Sequence, residues 1–443
     1  MFSRSSMPSL SRRDLLRLST AGVLGWSMSG WLDRLATAAA DDPQRKRSCI
    51  LLWMNGGPSQ MDTFDLKPGT ANGGPYKEIS TAVPGIKFSE HLPQLAKHTK
   101  RMTIVRSMQT KEADHARATY LMRTGRVPGG PVQYPVLGSF LSKELERADA
   151  ELPGFVSISP FRFFSPAAYS SGFLGPEYAP LIVGENAGFN PQQPTDFDAA
   201  LKVSDLDLPS DVTGKRSGCR VQLLEEMEQE FVASRPDAAA QSHRTAYHRA
   251  VTLMRSAASR AFNLGDETNA LRDRYGRNLF GQSCLLARRL VERGVPFVEV
   301  TLNNWDTHGD NFEQVKRLSG TLDPAWATLM EDLEVRGLLD TTLIVWMGEF
   351  GRTPGINGAK GRDHWANSWS TVLAGGGIKG GQVVGKTSAD GMSVDDRPVS
   401  VPDFLGTVCM ALGLNPRTQN QSNVGRPIRL VEPTAKPVTE VVA

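Results

Sequence analysis

Two short apolar runs, each cut off by a polar, glycine-rich segment, constrain this chain most. Residues 295–302 (Val-Pro-Phe-Val-Glu-Val-Thr-Leu) lead into Asn304-Trp305-Asp306-Thr307-His308-Gly309-Asp310. Residues 341–347 (Thr-Thr-Leu-Ile-Val-Trp-Met) lead into Gly348-Glu349-Phe350-Gly351-Arg352-Thr353-Pro354. A third polar segment, Gly361-Arg362-Asp363-His364-Trp365, follows closely. Such apolar, β-branched runs read as buried strands. Polar groups just past the carboxyl ends of parallel strands are where open α/β sheets bind their ligands. Asp, Glu and His are also the donors that suit Zn, Mn or Mg.

The rest of the chain extends this pattern. Strands are expected at residues 48–54, 102–108, 155–158 and 370–374. The first ends in Asn55-Gly56-Gly57-Pro58-Ser59, a tight turn that glycine permits. A helix is expected from Asp114-His115, with Asp114 as N-cap. Further helices are expected over much of 219–292, from about 324 to 336, and near 401–412. Residues 161–215 are rich in Pro, Gly, Ser and aromatics and read as irregular. Strands alternating with helices imply a mostly parallel sheet covered on both faces. The expected organisation is a single α/β domain over 41–443, with an irregular and helical insertion around 161–292.

The N-terminus reads as an address. Ser11-Arg12-Arg13-Asp14-Leu15-Leu16-Arg17 resembles a twin-arginine export signal. A modestly apolar stretch and the small residues Ala36-Thr37-Ala38-Ala39-Ala40 follow, as at a cleavage site. The stretch is too short and interrupted for a stable membrane span. Residues 1–40 are therefore expected to be removed on export, leaving a periplasmic or secreted protein. They hold five arginines against two aspartates, a surplus that equals the whole formal charge of +3. The remainder is formally neutral, which argues against a nucleic-acid partner. The four cysteines are widely spaced and form no CxxC pair, so nothing requires a disulfide.

These segments, with Asp62-Thr63-Phe64-Asp65 and Leu373-Ala374-Gly375-Gly376-Gly377-Ile378-Lys379-Gly380-Gly381, resemble a bacterial family known as domain of unknown function 1501. The resemblance spans nearly all of the chain after the signal. It implies an alkaline phosphatase-like and sulfatase-like α/β/α sandwich, with metal ions at the carboxyl ends of the strands. By this resemblance Asp306, His308 and His364 match metal ligands, and Glu349 stands where the next acidic ligand is found. Phe350 follows Glu349 where the superfamily usually has His, and Asn55 stands where it usually has Asp. His115 to Arg126 echoes a sulfatase helix that begins at a nucleophilic Cys or Ser, yet here the helix begins with Asp114-His115.

Physical reading of the residues adds to this. Asp306 and His308 are two apart, so on an extended backbone they face the same side. The alternative is a helix-capping Asp306 and a surface His308. His115 is read as a ligand or a general acid, or as a residue packed beside the cap. Asp114 lies at a helix N-terminus that favours anions, or is simply an N-cap. Arg352 and Arg362 suit bidentate contacts to phosphate or sulfate oxygens, or loop-fixing ion pairs. Asn55 either contacts a ligand or turns the chain. The expected activity is metal-assisted hydrolysis of a phosphate or sulfate ester. Zn, Mn or Mg would be the cofactor, and a small anionic ester or a sulfated or phosphorylated glycan the substrate. The rival is a non-catalytic exported protein that binds an anionic ligand or glycan.

Overall fold

The strand Ser48–Met54 (β1) shows how the chain builds its centre. All seven residues are buried. Ile50, Leu52 and Met54 join one apolar core, whereas Cys49, Leu51 and Trp53 join a second. Alternating side chains thus feed two cores, one on each face of a sheet. The same division recurs in Thr342–Met347, where Ile344 and Trp346 face the first core and Leu343, Val345 and Met347 the second.

The protein is described here by a computed structural model covering residues 47–146, 150–185, 196–204, 206, 208–234 and 238–443. The twin-arginine segment lies outside the described residues. After β1 the main strands are Met102–Gln109 (β2), Phe155–Ile158 (β3), Leu181–Val183 (β4), Phe297–Leu302 (β5), Thr342–Met347 (β6), Trp369–Gly375 (β7) and Gln382–Val384 (β8). They join in the order β8-β2-β7-β6-β1-β5-β3-β4, and Val399–Ser400 adds a ninth strand beside β2. Every pairing is parallel except those of β7, which runs antiparallel to β2 and β6. This is the expected α/β/α architecture with a mostly parallel sheet.

The helices divide between the faces. His115–Thr124 (α1), Leu137–Leu145 (α2) and Val401–Ala411 (α7) bury apolar residues in the core that holds Cys49. Leu279–Glu292 (α5) and Asn311–Val335 (α6) bury theirs in the other. Gly214–Ser234 (α3) and Ala238–Arg255 (α4) form a largely exposed pair. So α5, placed by sequence in the insertion, is a core helix of the sandwich.

Three expectations change in detail. Residues 161–215 contain the edge strand β4, too short for periodicity to reveal. Helix α6 begins at Asn311, well before the expected 324, and Pro324 lies inside it. Proline favours a first turn and disfavours a helix interior. Here Val315, Leu318, Leu322, Trp326 and Leu329, all buried on one helical face, anchor both halves. Strand β7 is present where expected, but reversed. Since β6 and β7 are antiparallel neighbours, residues 348–368 connect them as one long hairpin at the end of the sheet where β1, β5 and β6 finish. All four cysteines are free, and Cys219 alone is exposed.

Candidate metal centre

Five segments meet at that end of the sheet. Asn55 to Gly57 follow β1, Asn303 to Asp310 follow β5, and the 348–368 hairpin follows β6. Asp114-His115 opens α1 beyond β2, and residues 160–165 follow β3. Two glycines allow the backbones to converge. Gly56 has φ +108°, and a Cβ there would lie 2.4 Å from the Asp306 nitrogen. At Gly361 a Cβ would fall 1.8 Å from the His308 carbonyl oxygen. Any larger residue at either place would push apart the segments carrying Asp306, His308 and His364.

Asp306 is the hub. Its Oδ1 lies 3.0 Å from His308 Nε2 and 3.3 Å from His364 Nε2, and Oδ2 lies 3.4 Å from His115 Nε2. The Nε2 atoms of His308 and His364 are 3.0 Å apart. Each imidazole is anchored through its other nitrogen. His308 Nδ1 is 2.7 Å from Asp363 Oδ1, His364 Nδ1 is 2.8 Å from the Ala113 carbonyl oxygen, and His115 Nδ1 is 2.7 Å from Glu349 Oε1. These oxygens accept hydrogen bonds, so each Nδ1 carries the proton. In the neutral rings the Nε2 lone pairs are then turned toward the Asp306 carboxylate. Carboxylates and backbone carbonyls bound to Nδ1 are the usual second layer of a histidine metal site.

This donor set fits a divalent ion. A tetrahedral ion with ligands at about 2.0–2.1 Å sets ligand atoms roughly 3.3 Å apart. The Asp306–His308–His364 triangle has edges of 3.0, 3.0 and 3.3 Å. A second triad, His115–Asp306–His364, brings its ligand atoms within 4.8 Å of one another. The two triads share Asp306 and His364.

Electrostatics point the same way. Burial would raise the Asp306 carboxyl, but contacts with His115 and His364 and the Arg352 charge outweigh it and hold the group well below the usual carboxylate range. Burial alone would lower His115, but Asp306 and Glu349 push it up to about 9. The site therefore demands positive charge, which a proton or a metal ion can supply.

The other expected residues take supporting positions. Glu349 is fully buried, and its Oε1 accepts from the Gly56 N–H at 2.9 Å as well as meeting His115. Its Oε2 has no protein partner. Arg352 is fully buried beneath the hub. It donates to Asp306 Oδ1 at 2.5 Å, to Gly57 O at 3.0 Å and to Gly56 O. Arg352 thus positions Asp306 and has no face for a substrate, which corrects the expectation that it contacts phosphate or sulfate oxygens of the reacting ester. Arg362 is also fully buried. Its Nε donates to Asp62 Oδ2 at 2.7 Å, and it donates as well to the Pro354 carbonyl. It fixes the loop and does not reach a ligand, a second correction. Asp114 caps α1 by accepting from the Arg117 N–H at 3.1 Å, so the protein's own carboxylate occupies that helix end. Asn55 is buried, and its backbone bonds Leu302 O and the Trp305 N–H, tying β1 to β5.

Sequence reasoning did not single out Asp363 as the partner of His308, although it sits inside the third motif. It also passed over Phe164, whose ring stacks on His115 with centroids 5.1 Å apart and planes at 10°. The aromatic run at 161–164 was the available signal.

Residues 46–442 match one family, described as "Protein of unknown function (DUF1501)". No curated protein matches the chain. Among solved structures it is similar to the lipoteichoic acid synthase LtaP from Listeria monocytogenes, with 9% identity over 93% of this chain and 82% of that one, TM-score 0.43. It is similar to the PsFucS1 sulfatase from Pseudoalteromonas sp., with 13% identity over 87% and 72%, TM-score 0.39. A third similar structure is a protein in the alkaline phosphatase superfamily from Vibrio parahaemolyticus, with 10% identity over 88% and 76%, TM-score 0.34.

Proposed function

The chain belongs to the DUF1501 family, and from that premise and the geometry of its centre we propose that it is an exported, metal-dependent hydrolase of phosphate or sulfate esters. One observation carries the reading: three imidazoles, each anchored at Nδ1, aim Nε2 at the single carboxylate of Asp306. Asp306, His308 and His364 would hold the ion, Zn, Mn or Mg. When bound, a divalent ion supplies positive charge that polarises an ester oxygen and acidifies water. Asp363 and the Ala113 carbonyl fix the rotation of the two ligand rings. Arg352 fixes Asp306. His115, raised to about 9 by Asp306 and Glu349, holds a proton at Nε2 and gives it to the departing alcohol oxygen. Among the described residues of the cluster no Ser, Thr or Cys contacts Asp306, which favours direct attack by water.

A second reading is a non-catalytic protein that binds an anionic ligand or glycan, supported by Phe350 after Glu349 and by Asp114-His115 at the start of α1, where the resemblance would have a His and a nucleophilic Ser or Cys. With Arg352 and Arg362 buried and Asp114 capping its own helix, preference for an anion rests on the ion alone. Export through the twin-arginine machinery and a periplasmic or secreted location belong to both readings.

The test is a panel of aryl phosphate mono- and diesters, aryl sulfates and neutral aryl esters, with added Zn, Mn or Mg. Turnover of an anionic ester that His308→Ala abolishes supports the hydrolase. Phosphate or sulfate binding without turnover supports the binding protein. Neither result in metal-loaded protein rejects both.

A further inference from the structure

Residues 160–165 (Pro-Phe-Arg-Phe-Phe-Ser) place three phenylalanines in one short turn after β3. Their rings contact one another, with centroids 4.9 Å apart for Phe161–Phe164, 5.8 Å for Phe163–Phe164 and 6.4 Å for Phe161–Phe163. Such a cluster usually turns inward, because each ring buried removes a large apolar area from water. Here it faces out. Phe163 is 76% exposed and Phe164 41%. The cluster is also joined to the centre, since Phe164 lies parallel to the ring of His115. Phe350 approaches the same imidazole at 5.0 Å, so His115 is flanked by aromatic rings. Between the phenylalanines, Arg162 pairs with Glu185. Its charge is therefore engaged outside the metal centre.

We infer that Phe163 and Phe164 form a stacking platform for a ring in the alcohol part of the substrate. The inference rests on the hydrolase reading above. Phe164 lies against the His115 ring, whose Nε2 is 3.4 Å from Asp306, and Phe163 packs on Phe164, so the exposed rings border the place where an anionic group would lie, at Asp306, His308 and His364. Phenylalanine offers no hydrogen bond. It recognises a flat apolar face, either the π-face of an aryl group or the C–H face of a pyranose. The substrate class is thus an anionic monoester of a ring-bearing alcohol, not of a small acyclic one.

Calorimetric titration of the metal-loaded protein tests this without requiring turnover. The probes are inorganic phosphate and sulfate, methyl phosphate, phenyl phosphate and glucose 6-phosphate. The expected result is that at least one ring ester binds about tenfold more tightly than methyl phosphate. Phe163→Ala removes most of that advantage and leaves inorganic phosphate and methyl phosphate unchanged. Phe164→Leu, which keeps apolar packing against His115 but removes the flat face, gives the same pattern. Which of phenyl and glucose esters gains more identifies the ring type. Equal affinity of ring and methyl esters, or a ring advantage that survives both substitutions, overturns the platform while the hydrolase reading stands. If neither inorganic anion nor any ester binds, the reading of the centre has failed and the platform falls with it.

Discussion

His308 and His364 face each other through their Nε2 atoms at 3.0 Å, while Nδ1 of each is held by an acceptor oxygen, Asp363 Oδ1 and the Ala113 carbonyl. With Nδ1 donating, the Nε2 atoms of the two rings converge beside the Asp306 carboxylate. These are the donors that would hold a divalent cation there. His308→Ala and His364→Ala are each expected to lower metal content by more than tenfold, measured by elemental analysis after dialysis. Asp363→Ala, which only frees the His308 ring, is expected to weaken metal binding by about 10–100-fold. Full metal content in all three variants would remove the site.

His115 distinguishes the two overlapping triads. If Asp306, His308 and His364 hold the ion and His115 moves a proton, His115→Gln retains metal but loses turnover by about 10²–10⁴-fold. Loss of metal in this variant, with retention in His308→Ala, would instead assign the ion to the His115–Asp306–His364 set.

The buried pair of Arg362 and Asp62 predicts a stability effect separate from metal. Both side chains are fully buried and meet at 2.7 Å. Removing one partner leaves a buried charge uncompensated, so Arg362→Met is expected to cost about 3–5 kcal/mol. Chemical denaturation of the metal-free protein measures it. Asp62→Asn with Arg362→Met should recover part of the loss, because neither charge then remains.

Glu267 supplies a pH dependence away from the centre. Burial would raise its carboxyl, but Arg288 and Arg289, at 2.7 and 2.5 Å, lower it overall. A carboxyl depressed by folding contributes stability above its unfolded value. That contribution is lost as pH falls through the folded value. Wild type and Glu267→Gln should therefore differ in unfolding free energy at pH 7 and converge as acidification carries the pH through the depressed folded value. A gap that stays constant across this range would contradict the assignment.

Export is predicted from Arg12-Arg13 ahead of the modestly apolar stretch and the small residues at 36–40. Replacing both by Lys should leave the precursor inside the cell, as seen by fractionation. Unchanged export would reject the twin-arginine reading.

The frame was legible because buried strands announce themselves by composition. Residues 49–54 and 343–347 are apolar without interruption, and short runs of this kind read as strands buried on both faces. The motif residues Asp306, His308 and His364 were legible because polar groups at strand ends stand out against those runs. Direction was not. Nothing in Trp369–Gly375 says which way the strand runs, since apolar content is the same read from either end. The fate of Arg352 and Arg362 was equally hidden. An arginine beside a polar loop carries the same letters whether it meets a substrate or a buried Asp62 that lies 300 residues away in sequence. Helix α6 was truncated in the reading because proline outweighed the apolar stripe on both sides of it.

The reversal of β7 has a consequence for how such a centre can be altered. Because β6 and β7 are antiparallel neighbours, the segment from Gly348 to Ser368 leaves and re-enters the sheet at the same end, through two adjacent interior strands. It carries Glu349, Arg352, Arg362, Asp363 and His364 as one cassette, closed at its base by two adjoining strands. Lengthening or exchanging it need not rethread any helix crossover, whereas Asp306 and His308 sit on a connection that runs straight into α6. Variation in chemistry among relatives should therefore accumulate in the cassette, with the β5 side serving as its fixed socket.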